Sequence, residues 1–245
     1  MLTYHLVAAG LTTQGTVVFY SRPDAPGVLP QLGSLDPAVR PYLQIVSSSL
    51  TRFGKHPSIS PARVALVGFG TGAEIDFFLR TETDVHGIDV SPLFVDAALA
   101  RYPGKTLNFI CGDMSFLDRL HPPVSCSAVV FNASLVHLRE ASSLLDMLRQ
   151  AFAITKISGR VYVRLLCKMK DGKKLPPETD TIGRYFRYFT LKELLAAGAQ
   201  AGFTEDRSQA QPHVKHDQIL ADTGITTTWP EVIFVKPSDI STLKP

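Results

Sequence analysis

Between an apolar run, Arg63–Val67, and a helically spaced segment, Ala73–Leu79, the chain reads Gly68-Phe69-Gly70-Thr71-Gly72. Three glycines there let the backbone turn sharply and approach a ligand with no Cβ in the way. The helix that follows offers unpaired N–H groups at its N-terminus. Gly68-x-Gly70-x-x-Ala73 also fits the dinucleotide fingerprint in its alanine-ended form. Roughly twenty residues on, Asp89 ends a second apolar run, Asp84–Asp89, where an acid can accept hydrogen bonds from a ribose diol. Gly112-Asp113-Met114 closes a third run, Leu107–Cys111. An acid there can accept from an adenine amino group while its apolar neighbour covers the ring. Each feature alone has a plainer reading, a ligand-free connection for the glycines and a helix cap for Asp89. Their order is what points to an adenosyl ligand.

Such residues work only if strand ends are presented side by side, and the rest of the pattern supplies that scaffold. Ser91-Pro92 reads as a hydroxyl N-cap with proline in the first turn, a cap typically worth about 1 kcal/mol. Ala128–Phe131 and Val161–Leu166 read as fourth and fifth strands with a helix, Leu138–Ile154, between them. Thr190-Leu191-Lys192-Glu193 is a capping box opening a helix over Leu191–Ala201, closed by Gly202, and Glu231–Val235 is a late strand. Alternating strand and helix predicts an α/β fold: a doubly wound, mostly parallel, Rossmann-like sheet with ligand at the carboxyl ends of its strands. Upstream, Thr16–Tyr20 reads as a strand and residues 22–27 as loop. Asp36-Pro37 opens a helix that stops at Gly54. Residues 1–60 therefore read as an N-terminal extension or cap, and 61–245 as the ligand-binding domain.

The glycine turn, ribose acid and strand-three Gly112-Asp113 resemble, in order and spacing, the class I S-adenosylmethionine-dependent methyltransferases. Val129–Leu138 is similar to that family's fourth strand and following turn, and Ser158–Val163 to its entry into the fifth strand. The stretch Arg184–Thr190, the helix ending Ala201-Gly202-Phe203 and the segment Trp229–Pro237 resemble the C-terminal part of its small-molecule members. The resemblance implies S-adenosyl-L-methionine as cofactor, with Gly68, Gly70 and Gly72 backing its methionine part, Asp89 on the ribose, Asp113 and Met114 at the adenine, and Asn132 beside the methionine end and the methyl group. It also shows a departure: the family often has an acid two residues before the first glycine, and here that position is Leu66.

Methyl transfer from a sulfonium needs positioning and a dry site, and a base only when the acceptor carries a proton to lose. His137, just beyond the fourth strand, is the candidate base, since neutral imidazole takes a proton near pH 7. Lys168–Tyr188 reads as a lid loop. Lys168, Lys170, Lys173, Lys174, Arg184 and Arg187 gather positive charge there, interleaved with Tyr185, Phe186 and Tyr188. Arg184, Tyr185 and Arg187 are the candidate substrate-binding residues, for an anionic small-molecule acceptor or, less favourably, RNA. Ala133-Ser134 after Asn132, in place of Pro-Pro-Tyr, argues against N-methylation of nucleic-acid bases or glutamine. The competing readings are a catalytically inactive methyltransferase-like partner subunit, an enzyme using the cofactor for non-methylation chemistry, and a nicotinamide oxidoreductase, which Gly112-Asp113 disfavours.

Composition limits the remaining classes. With 45% hydrophobic and 19% charged residues the 245-residue chain is of globular type, and a net charge of +3 is too small to imply nucleic acid by itself. No stretch approaches the length of a membrane span, and nothing reads as a secretory signal. Cys111, Cys126 and Cys167, widely spaced, read as reduced core residues, so the cytoplasm is the expected compartment. His213 and His216 have no further ligand cluster, and no metal is assigned.

Overall fold

The computed structural model describes residues 39–54, 62–81, 83–103, 108–120, 125–140, 142–180, 184–206, 218–220 and 223–238. The strand expected at Thr16–Tyr20, the loop at 22–27, the cap Asp36-Pro37 and the histidines His213 and His216 lie outside these residues. The main sheet contains β1 (Arg63–Val67), β2 (Asp84–Asp89), β3 (Asn108–Cys111), β4 (Cys126–Asn132) and β5 (Thr155–Arg164), all parallel. Its far edge adds two antiparallel strands, Glu231–Val235 and Thr204–Glu205. From Thr204–Glu205 inward, the order is Glu231–Val235, β5, β4, β1, β2, β3. The mostly parallel α/β sheet expected from the sequence is therefore present.

Helices cover both faces. On one lie α1 (Arg40–Gly54), α2 (Ala73–Leu79) and α3 (Pro92–Arg101), with Tyr42, Leu43, Val46, Ile75, Phe78 and Val95 buried against Val64, Leu66, Val130 and Tyr162. On the other lie the single turn α4 (Leu117–Leu120), α5 (Ser142–Ile154) and α6 (Leu191–Gln200), packed on Ala65, Val67, Val129, Phe131, Val161 and Val163. The alternation along each strand separates these sets, because side chains two apart share a face. Among the described residues no helix is long and apolar enough to cross a membrane. All three cysteines are free, Cys126 and Cys167 fully buried, and burial pushes their thiols up.

Three expectations need correction. The helix expected from Leu138 begins at Ser142, after a 3₁₀ turn at Leu135–His137. The Leu138 and Arg139 carbonyls instead accept hydrogen bonds from the Arg187 guanidinium, and Leu138 is extended. Ser91 does precede α3 but makes no side-chain cap; its backbone N–H donates to Asp89 instead. Finally, Lys168–Tyr188 is not one loop. It contains β6 (Cys167–Lys170), β7 (Lys173–Lys174), β8 (Glu178–Thr179) and β9 (Tyr185–Phe186), with β8 and β9 paired to each other.

With β10 (Thr204–Glu205), β11 (Gln218–Leu220), β12 (Ile225–Thr228) and β13 (Glu231–Val235) completing the chain, β6 joins a second, antiparallel sheet in the order β11-β12-β6-β7. The β6–β12 ladder continues the register of β5–β13: Arg164 faces Glu231, and Cys167 faces Thr228. The pairing lapses between them at Leu165 and Leu166, opposite Trp229 and Pro230, where proline has no N–H to give. Leu165 still donates to the Pro230 carbonyl at 2.9 Å. The expected fifth strand, Val161–Leu166, thus ends at Arg164 and resumes as β6, carrying the second sheet past the carboxyl edge of the first.

The capping box at α6 is complete: Thr190 Oγ1 accepts from the Glu193 N–H at 3.2 Å, and the Thr190 N–H donates to Glu193 at 2.7 Å. Thr190→Ala is expected to lower unfolding free energy by about 1 kcal/mol in urea titration. An unchanged midpoint would mean the box contributes nothing.

Candidate cofactor site

All three glycines of the turn between β1 and α2 have positive φ: 66° at Gly68, 50° at Gly70 and 75° at Gly72. At Gly68 the requirement is also steric, since a Cβ would lie 2.5 Å from the Ser134 Cβ. At Gly70 a Cβ would meet nothing within 4 Å, so the turn borders open space. Asp89, at the end of β2, fixes the turn from beside it. One carboxylate oxygen accepts the Gly70 N–H at 2.8 Å and the other the Ser91 N–H at 2.9 Å. The Gly112 N–H donates to the Asp89 carbonyl at 2.9 Å, so the ends of β1, β2 and β3 are tied at one residue. Burial pushes the Asp89 carboxyl up from 3.8 to about 6, against backbone hydrogen bonds from Ser91, Gly70 and Val90 that favour its charge.

Asn132 ends β4 beside a left-handed Ala133 (φ 58°). Its amide Nδ2 donates to the Glu74 carboxylate, which reaches across from the first turn of α2. In register with Asn132 stands Arg164, and with Arg164 stands Glu231, 3.0 Å from the guanidinium. The guanidinium carbon lies 4.4 Å from the Trp229 ring centroid. One step deeper on the same face are Leu66, Val130, Tyr162 and Ile233. The row at the strand ends is therefore polar where the row below is apolar, apart from the Tyr162 hydroxyl. Burial pushes the Glu74 carboxyl up, with the Asn132 hydrogen bond and Arg164 opposing.

Asp113 is buried at the end of β3, and its Oδ1 accepts from the Ser115 N–H at 2.8 Å, capping the 3₁₀ turn Met114–Phe116. Met114 is half-buried against the core. His137 sits on the 3₁₀ turn after β4 with Nδ1 2.7 Å from the Tyr185 carbonyl and its ring 5.0 Å from that of Phe186. Burial lowers its pKa below 6.5, so it is neutral near pH 7. Donation from Nδ1 then leaves the ring lone pair on Nε2. The structure thus brings His137 and the β8–β9 hairpin together.

Four of the lid cations, Lys168, Lys174, Arg184 and Arg187, have local partners. Arg184 pairs with Asp180 at 2.8 Å, Lys168 with Glu178 at 2.7 Å, and Lys174 with Glu193. Tyr185 Oη donates to the Arg139 carbonyl at 3.1 Å, and Arg187 donates to the Leu138 and Arg139 carbonyls. Their visible role is to fasten β9 over the turn that carries His137. Among the described residues no group of three or more His, Cys, Asp or Glu is arranged to hold a metal ion.

Residues 64–159 match a family model described as a methyltransferase domain. By that match, residues 64–159 form a methyltransferase domain. Solved structures repeat its fold. A Burkholderia thailandensis 1,6-didemethyltoxoflavin-N1-methyltransferase, with bound 1,6-didemethyltoxoflavin and S-adenosylhomocysteine, is 20% identical with a TM-score of 0.62, over 95% of this chain and 94% of that one. The [4+2]-cyclase SpnF is 19% identical with a TM-score of 0.59, over 84% of each chain. A methyltransferase from Mesorhizobium loti is 16% identical with a TM-score of 0.57, over 81% of this chain and 97% of that one. At these identities the likeness is one of fold. No curated protein sequence matches the chain.

Two observations fit the methyltransferase domain to its cofactor. The backbone at Gly70 borders open space, and the buried Asn132 Oδ1 has no hydrogen-bond partner among the described residues. Sequence reasoning missed Glu74, a buried acid of the site. The available signal was its spacing, because Glu74 lies four residues before the buried Phe78 and so on the apolar stripe of α2.

The raised Asp89 pKa gives a signed expectation. Its protonated form is favoured in the folded state, so its contribution to stability is complete below about pH 4 and is lost as pH rises through about 6. Between pH 4 and 7, wild-type stability should fall relative to Asp89→Asn by roughly 2–3 kcal/mol in urea unfolding. A pH-independent difference between the two proteins would contradict the burial argument.

Proposed function

We propose that this domain transfers a methyl group from S-adenosylmethionine to a small-molecule acceptor held beneath the β6–β9 hairpins. The observation that carries the reading is the Gly68–Gly72 turn, left-handed at each glycine and tied through Gly70 to Asp89 at the strand ends of a methyltransferase domain. Support for a small acceptor comes from the Burkholderia relative, similar over nearly the whole of both chains, which holds a small heterocycle together with S-adenosylhomocysteine.

When bound, S-adenosylmethionine supplies an electrophilic methyl group on a sulfonium. The chain's residues do the positioning. In this reading Gly68, Gly70 and Gly72 bring backbone close to the methionine part, and Asp89 accepts from the ribose hydroxyls with the lone pair left beyond its backbone donors. Asp113 and Met114 border the adenine, and Asn132 borders the methyl end. His137, neutral and oriented by the Tyr185 carbonyl, takes a proton from an acceptor that must lose one, through Nε2. Arg184, Tyr185 and Arg187 act mainly by fixing the lid, and an anionic acceptor would have to compete with the carboxylates already paired there.

Calorimetric titration tests this directly. S-adenosylhomocysteine is expected to bind with micromolar affinity, about −8 kcal/mol, and NADH not at all. Asp89→Ala is expected to weaken S-adenosylhomocysteine by about 1–3 kcal/mol in a protein that remains folded. Unchanged affinity would reject this placement of the pocket. Tight cofactor binding without methyl transfer to any screened acceptor would favour non-methylation chemistry or a partner-subunit role.

A further inference from the structure

The polar row at the strand ends is unbalanced. It holds two buried carboxylates, Glu74 and Glu231, and one guanidinium, Arg164, which lies 3.0 Å from Glu231. Glu74 takes its visible hydrogen bond from Asn132, a neutral donor. Two further polar atoms, Asn132 Oδ1 and the fully buried Tyr162 hydroxyl, have no hydrogen-bond partner among the described residues. The Tyr162 hydroxyl lies within electrostatic reach of Glu74, Glu231, Arg164 and Tyr42. A second buried carboxyl beside a guanidinium already paired with Glu231, and polar atoms without partners among the described residues, together suit a compact cation with several N–H donors.

The adenosyl cofactor of the proposed function ends in such a group, its α-ammonium. We propose that Glu74 receives that ammonium. This rests on the cofactor reading above. It also accounts for Leu66: the acid absent from β1 is supplied by α2, from the same face of the sheet, one step nearer the strand ends.

The proton balance is simple. Burial favours the protonated Glu74 carboxyl before the cation arrives. The ammonium then stabilises the carboxylate, the carboxyl proton leaves to water, and the ammonium keeps its own three. Among the described residues, Arg164 and Tyr162 from β5 act on Glu74 directly, and Glu231 from β13 and Tyr42 from α1 act on Tyr162 beside it. Asp89, which titrates near 6, holds the other side of the turn.

The experiment compares S-adenosylhomocysteine with 5′-methylthioadenosine, which shares the adenosine and thioether but lacks the amino-acid end. Ratios of the two affinities cancel the contribution of Asp89 and of the ribose site. Glu74→Gln is expected to weaken S-adenosylhomocysteine by about tenfold or more while leaving 5′-methylthioadenosine within about twofold. In wild type the ratio should rise between about pH 5 and 6.5, a unit or more below the range where an α-amino group titrates. In Glu74→Gln it should stay flat. A second measurement needs no variant: calorimetry of wild type in buffers of different ionisation heat should show more proton release with S-adenosylhomocysteine than with 5′-methylthioadenosine. Equal weakening of both ligands, a ratio independent of pH in wild type, or equal proton release would overturn the role of Glu74. Binding of neither ligand to wild type would overturn the cofactor reading itself.

Discussion

Asp89 holds the Gly70 N–H with one carboxylate oxygen and the Ser91 N–H with the other, and its own carbonyl takes the Gly112 N–H. One buried residue therefore sets the distance between the glycine turn, the start of α3 and the exit of β3. If that carboxylate were lost, the glycine turn and the start of α3 would both have to find new partners. Burial opposes its charge and the backbone N–H groups favour it, which is why it titrates near neutrality rather than in the usual carboxylate range. Glycine accepts the left-handed backbone of the turn without strain, whereas Ala133, left-handed at the end of β4, costs some.

The second constraint is that the same edge stays polar on the face covered by α1 and α2. Asn132, Arg164 and Glu231 stand side by side across three strands, and Glu74 closes the row from α2. Buried charges of this kind are a poor source of stability, because their desolvation offsets most of their attraction. They sit, out of water, in a region of low dielectric where the arrival of one cation has a large effect. Opposite this row, β5 and β13 continue past the edge as β6 and β12, and the hairpins they carry are fastened by Tyr185 and Arg187 over the turn holding His137. Cofactor chemistry and acceptor control thus meet along one line of strand ends.

Much of the main sheet could be read from local pattern. Arg63–Val67, Ala73–Leu79, Asp84–Asp89 and Glu231–Val235 are apolar or helically spaced runs bounded by glycine, proline or acid, and each has in the structure the bounds its pattern implies. The Thr190–Glu193 box announced its helix because its hydrogen bonds are local. The second sheet could not be read this way. β6 and β7 are rich in lysine, and β6 pairs with β12 some sixty residues away in sequence, so no short window contains the information. Arg187 drawing carbonyls from Leu138 and Arg139 is another distant contact, and it delays the start of α5. Glu74 was hidden for a different reason: an acid in a helix's first turn ordinarily favours the helix dipole from solvent. Only the position of Asn132 across the sheet makes it a buried residue of the site.

A crystal structure of the protein with S-adenosylhomocysteine tests most directly the claim that this edge is the cofactor site. The account expects the ribose hydroxyls within hydrogen-bond distance of Asp89, the thioether over the Gly70 backbone and the amino-acid end facing Asn132 and Glu74. A ligand bound away from the glycine turn, or an edge that stays empty at saturating ligand, would contradict it.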